Sequence, residues 1–205
     1  MLFAGVIGIV IFAIVLGFFL SEDSEDYSED IEVASVTLSG WPLPVFQGSP
    51  DQATGARAPA ISTKTTLDET VKLNPADGIA RVIGFFAHWC PHCQREIPRI
   101  TTWLDENNLP NRVEVIIISS AVDSTAPNYP PSAWLRREGW QGPILVDNAA
   151  TDIATGYGLS GFPYWVVLGG EGKVITRTHG ALSDAEFSSL VDQALQSLTN
   201  NTENR

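Results

Sequence analysis

The sequence predicts an α/β domain with a central mixed β-sheet flanked by helices, preceded by an N-terminal transmembrane helix and a flexible linker. Two nearly continuous apolar runs, "ARVIGFF" (80–86) and "VEVIIIS" (113–119), read as strands buried on both faces. Helical patterns alternate with such runs, and "YWVVLGGEGKVITRT" (164–178) reads as a hairpin, which mixes strand directions in one sheet. The first 20 residues, "MLFAGVIGIVIFAIVLGFFL", carry no charge, and as a helix rising about 1.5 Å per residue they span a hydrocarbon layer of roughly 30 Å.

Residues 1–20 are therefore expected to anchor the chain in a membrane. A cleavable signal would show a basic start, a shorter apolar stretch and a small-x-small site, whereas here the apolar run meets "SEDSEDYSED" directly. No Lys or Arg precedes the anchor, which fits a true start upstream of Met1. Residues 21–57 read as linker: an acidic run followed by Pro42, Pro44 and Pro50 among scattered glycines. As a flexible coil this segment would hold the domain about 35 Å from the bilayer.

The domain itself is predicted over 58–198. "TLDETVKL" (66–73) alternates as a short strand, and 80–86 follows as a buried one. A helix should run from the cysteine motif to about Glu106, with Ile97, Ile100, Trp103 and Leu104 inward and Pro98 kinking its axis. After the strand at 113–119, "AVDSTAPNYPPS" is a Pro-rich loop, "SAWLRREG" a short helix closed by Gly139, and "GPILVD" (142–147) a third strand. A helix over about 148–155 leads to the hairpin. Ser183 and Glu186 then form a capping box for a last helix, with Phe187, Leu190, Val191, Ala194, Leu195 and Leu198 at helical spacing. Residues 199–205 read as a frayed polar tail.

The net charge of −12 is mostly local, because seven of the 24 carboxylates lie between residues 22 and 32. The remainder, 17 acids against 12 bases, forms no basic stripe, so nucleic acid is not expected as a partner.

Both cysteines of the chain stand in "GFFAHWCPHCQREIP" (84–98). A Cys-x-x-Cys at a strand-to-helix junction puts Cys90 at a helix N-terminus, where unpaired N–H groups and the macrodipole favour an anion such as a thiolate. Cys93, one turn on, should be less exposed and suited to resolving a mixed disulfide. His92 between them adds a donor that stabilises the reduced form, and a more stable reduced form makes a more oxidising disulfide. Three other readings compete. A structural disulfide would close only a four-residue loop and gain little entropy. A metal site from His88, Cys90, His92 and Cys93 is disfavoured, because a helix start does not converge four such close ligands. Inert buried thiols fit poorly beside Pro91, His92 and Gln94.

"FFAHWCPHCQREIP", with "GFPYWVVL", "EGKVITRTHG" and a terminal helix, resembles the thioredoxin fold of the membrane-anchored TlpA-like (ResA-like) bacterial thiol-disulfide oxidoreductases. The resemblance covers about 58–198. It implies Cys90 as the attacking and Cys93 as the resolving cysteine, Pro98 as the kink proline, and Pro163, after Phe162, as a cis-proline presenting backbone to an extended substrate. It also makes Glu96, in Cys-x-x-Glu-x-Pro, a proton-transfer or pKa-tuning group; the alternative is an exposed helix glutamate. Trp89, Pro91, His92, His88 and Phe162 complete the active-site environment, with His88 and Trp89 lining the groove and His179 a solvated surface residue. One departure stands out: many thioredoxin-fold enzymes carry a buried acid six residues before the first cysteine, where this chain has Gly84, which leaves Glu96 or water as base.

The expected protein is a single-pass, extracytoplasmic thiol-disulfide oxidoreductase that exchanges disulfides with client proteins and takes electrons from a transmembrane thiol partner. No cofactor and no metal are expected. The resemblance favours a reductase, whereas the Pro-His dipeptide looks like the oxidising DsbA type. A peroxide-reducing enzyme would need a peroxidatic cysteine in its own loop, and a copper or haem handling module would use the same thiols as soft ligands.

Overall fold

Strand β4 (Ala80–Phe86) is buried along its whole length, and the rest of the sheet is laid out on its two edges. The computed structural model describes residues 30–203, with side chains to residue 199. The expected membrane span and the acidic run to residue 29 lie outside the described residues. Among the described residues no helix is long and apolar enough to cross a membrane.

The elements in chain order are β1 (Thr37–Ser39), β2 (Ala60–Thr65), β3 (Thr70–Leu73), β4, α1 (Pro91–Glu106), β5 (Val113–Ser119), α2 (Pro131–Arg137), β6 (Ile144–Val146), α3 (Asp152–Gly156), β7 (Tyr164–Leu168), β8 (Val174–His179) and α4 (Asp184–Glu203). The strands form one mixed sheet in the order β1-β2-β6-β5-β4-β7-β8, with β3 also paired to β2. Strands β4, β5 and β6 run parallel, while β7 is antiparallel to β4 and to β8. Ser62 pairs with both Thr37 and Lys72, and Lys64 with both Thr70 and Val146. Thus β1 and β6 share one edge of β2 end to end, and β3 holds the other.

Period-two alternation sends the central strands into two cores. Val82, Phe86, Val115, Ile117, Trp165 and Val167 face α1 and α4. Ile83, Phe85, Ile116, Ile118, Tyr164 and Val166 face α3 and the N-terminal segment. This double burial is what the continuous apolar runs of β4 and β5 encode.

Three sequence expectations are corrected. Of the strand read at 66–73 only Thr70–Leu73 is extended, residues 66–69 forming the turn from an earlier strand, Ala60–Thr65, which escapes a sequence reading because Thr63 and Thr65 take inward positions that apolar residues usually fill. The last helix continues through Glu203 and takes in most of the predicted polar tail. The linker reading fails for residues 30–57, which cross the α3 face of the sheet as a strap. Leu43 and Ala53 are buried; Leu43 N donates to Gly156 O, Phe46 N to Gly158 O and Gly55 N to Val174 O. Arg177, buried on β8, binds Asp51 through Nε and Nη2 and Pro44 O through Nη1. Upstream, Ser132 donates its N–H and hydroxyl to Glu32, and Arg136 pairs with Asp30. The strap is ordered because the C-terminal half gives its backbone and charges partners.

Candidate active site

The parallel pair β4–β5 ends where the chain turns into α1, and this turn carries the cysteines. Phe85 pairs with Tyr164, so the residue before β7, Pro163, lies beside the same turn. The Phe162–Pro163 bond is cis. Cys90 is the N-cap of α1 in extended conformation, with Pro91 at the first helical position, where its missing N–H costs nothing. Its Sγ is 3.7 Å from Phe162 O, the carbonyl of the cis bond. The helix start and the proline loop thus meet at one sulfur.

Both thiols are free. Cys90 is 6% exposed and Cys93 wholly buried. Burial pushes the Cys93 thiol far up, only partly offset by a hydrogen bond with the Ala87 backbone, and the neighbouring Cys90 and Glu96 add to the rise. Cys93 is held as a neutral thiol, so it needs a base before it can attack.

Glu96, one turn further along α1, is 1% exposed, which overturns the exposed-helix alternative. Oε1 accepts the Leu182 N–H at 2.8 Å, while Oε2 is buried without a partner. Burial raises its pKa to about 7, against the opposing Leu182 bond. The Trp165 indole helps hold the charge to a smaller degree, although its Nε1 completes no full hydrogen bond.

Trp165 is the site residue that sequence reasoning missed. Its signal was Gly84, since a glycine inside a strand marks a place where something else comes close. A Cβ on Gly84 would lie 2.6 Å from the Trp165 ring and 2.6 Å from Phe86. The space that a buried acid would take is filled by indole, whose ring packs edge-on against Phe86 and Phe187.

The remaining predicted residues surround the motif. Trp89 is 39% exposed, stands edge-on to Phe162 at 6.0 Å and donates its indole N–H to Ala121 O. His92 is turned along the helix, its Nδ1 accepting from Arg95 at 2.9 Å. His88 is buried under the 121–130 loop. His179 is exposed, as expected, and within reach of Ser160 Oγ at 3.2 Å.

A family comparison decides the kinship: the AhpC/TSA family profile matches residues 54–177, more than half of the chain. This chain belongs to the AhpC/TSA family. It is 24% identical over 126 residues to the thiol-disulfide oxidoreductase ResA of Halalkalibacterium halodurans, covering 60% of this chain and 68% of that one. It is 26% identical over 159 residues to a DsbE homologue, a thiol:disulfide interchange protein of Paracoccus denitrificans, covering 74% and 81%. The crystal structure of a thiol:disulfide interchange protein of Chlorobium tepidum superposes with a TM-score of 0.57 at 23% identity, covering 70% and 99%. The ResA-like resemblance is borne out, and the fold is thioredoxin-like.

Proposed function

We propose that this AhpC/TSA-family protein is a membrane-tethered, extracytoplasmic thiol-disulfide oxidoreductase acting on client proteins. The observation that carries the proposal is the meeting of Cys90 Sγ with the Phe162 carbonyl beside cis Pro163, with the shielded Cys93 one turn behind. Two sulfurs of unequal access beside the half-buried Phe162 suit disulfide exchange. The Cys90 thiolate attacks a client disulfide, forming a mixed disulfide and releasing one client thiolate. Glu96 takes the Cys93 proton, and Cys93 attacks the Cys90 sulfur, closing the Cys90–Cys93 disulfide and freeing the second client thiol. The client gains two electrons and the enzyme loses two. The client chain lies along the Phe162–Pro163 edge, with Trp89, Pro91 and His92 at its borders.

A reductase is the direction we favour. The ResA-like resemblance carried by "CQREIP" supports that direction; burial keeps Cys93 a neutral thiol, as an ordinary cysteine already is at neutral pH, and so leaves the potential to Cys90. Electrons would come from a transmembrane thiol partner through the same Cys90. The Pro-His dipeptide within "CPHC" favours the oxidase alternative through His92, but the Nδ1 of that ring accepts from Arg95 and so donates nothing to a thiolate. Cys90→Ser decides the chemistry: a folded variant with no exchange activity is expected, and retained activity sinks the mechanism.

A further inference from the structure

The dipeptide ahead of Cys90 is tied to a loop from another part of the chain. His88 is 1% exposed, and both of its ring nitrogens are used. Nδ1 lies 2.7 Å from Pro127 O, and a carbonyl only accepts, so Nδ1 carries the proton. Nε2 accepts the Asp123 N–H at 3.1 Å and is therefore bare. The ring is fixed as the neutral Nδ1–H tautomer. The Asp123 carboxylate is turned back onto the Thr125 N–H and hydroxyl, so it does not pair with the imidazole.

The backbone joins the same arrangement. His88 O accepts from Gln94 Nε2 at 2.8 Å and Asn128 Nδ2 at 3.4 Å, and Trp89 Nε1 donates to Ala121 O at 2.7 Å. The loop between β5 and α2 is thereby held at residues 121, 123, 127 and 128 by the two residues directly before Cys90. Two aromatic rings of this assembly stay open to solvent: Trp89, edge-on to Phe162, and Tyr129, edge-on to His88 at 6.1 Å.

We infer that His88 is a positioning residue that clasps the 121–130 loop into a wall beside Cys90, whose exposed Trp89 and Tyr129 rings select extended peptides with a bulky apolar residue next to the reacting cysteine. This rests on the exchange reading of Cys90 given above. A small hydrophilic disulfide such as glutathione disulfide reaches the sulfur but has nothing apolar to lay on the wall. The wall therefore governs client binding and leaves the sulfur chemistry alone.

The test compares two probes, glutathione disulfide and a ten-residue peptide disulfide with Phe beside its cysteine. Kinetics are measured for the full chain and for His88→Ala, His88→Asn and Tyr129→Ala. The clasp predicts that His88→Ala and Tyr129→Ala raise KM for the peptide about tenfold, while kcat and turnover of glutathione disulfide stay within about twofold. His88→Asn should restore part of the loss, since its amide can donate to Pro127 O. Equal losses on both probes, or no loss on the peptide, overturn the inference. Should His88→Ala fail to fold, Tyr129→Ala still reads the wall. The ¹⁵N shifts of the wild-type imidazole read the clasp directly, and an Nε2–H tautomer or a charged ring at neutral pH overturns it. Inactivity of the wild type on both probes would instead refute the exchange reading, with the imidazole spectrum still deciding the clasp.

Discussion

The Leu182 backbone N–H donates to Glu96 Oε1 across 86 residues of chain. One donor does not offset the burial of a carboxylate whose other oxygen is bare, so the native state holds a proton that the unfolded chain releases near its ordinary value of 4.5. Between about 4.5 and 7 the folded protein binds more protons than the unfolded one, and stability should fall as pH rises through that window. The loss attributable to Glu96 amounts to roughly 3 kcal/mol. Denaturant titrations across this range should show the decline in wild type and its absence in Glu96→Gln.

The same group sets a kinetic expectation. If ionised Glu96 takes the Cys93 proton, closure of the Cys90–Cys93 disulfide should accelerate through about pH 7, near the Glu96 value. Glu96→Gln should lose that inflection and slow the step by about 10²-fold or more. Stopped-flow measurement of mixed-disulfide resolution checks this, and an unchanged profile in the variant removes Glu96 from the step.

Gly84→Ala forces a methyl to within 2.6 Å of both Trp165 and Phe86. Both rings are enclosed, so the clash has little room to relax and should cost about 1–3 kcal/mol. Chemical denaturation gives the number. The indole shift should move with it, because Trp165 is the ring displaced.

Asp51→Ala leaves the wholly buried Arg177 guanidinium without its carboxylate. Pro44 O and Tyr157 O still accept from Nη1, yet no charge then balances it. The expected loss is about 3 kcal/mol or more, measured as a lower denaturation midpoint, with faster amide exchange at Leu43 and Phe46 as the strap loosens.

Cys93→Ala removes the resolving thiol while leaving Cys90 able to attack. Clients should accumulate as mixed disulfides on Cys90, recoverable under non-reducing conditions and absent from the Cys90→Ser variant. Equilibration of the wild type in glutathione buffers reads direction: a potential near thioredoxin's, about −270 mV, supports the reductase, and one near about −120 mV supports the oxidase.

How much of this was legible depended on where each residue's partners lie. Strands β4 and β5 announce themselves because burial on both faces leaves no room for polar residues. Cys90 and Cys93 are legible because their spacing and the flanking strand and helix are local. Pro163 and Glu96 could be placed only by resemblance: Pro163 is brought in by strand pairing, and Glu96 is enclosed by Leu182 from beyond β8. The strap was illegible in kind. Its prolines and glycines look like linker, and its order comes from Gly156, Gly158, Val174 and Arg177. The usable hint was Arg177, a cation inside a β-strand that required a carboxylate from somewhere. Likewise, nothing local to "AHWC" reveals that His88 and Trp89 hold residues 121–128.

The strap also dictates an order of assembly. Leu43 and Phe46 bond to Gly156 and Gly158, and Asp51 waits for Arg177, 126 residues later. A chain emerging from the ribosome makes the strap before any of these partners exists, and closing so long a loop is slow. The first segment of the domain to be synthesised is thus among the last to find its place.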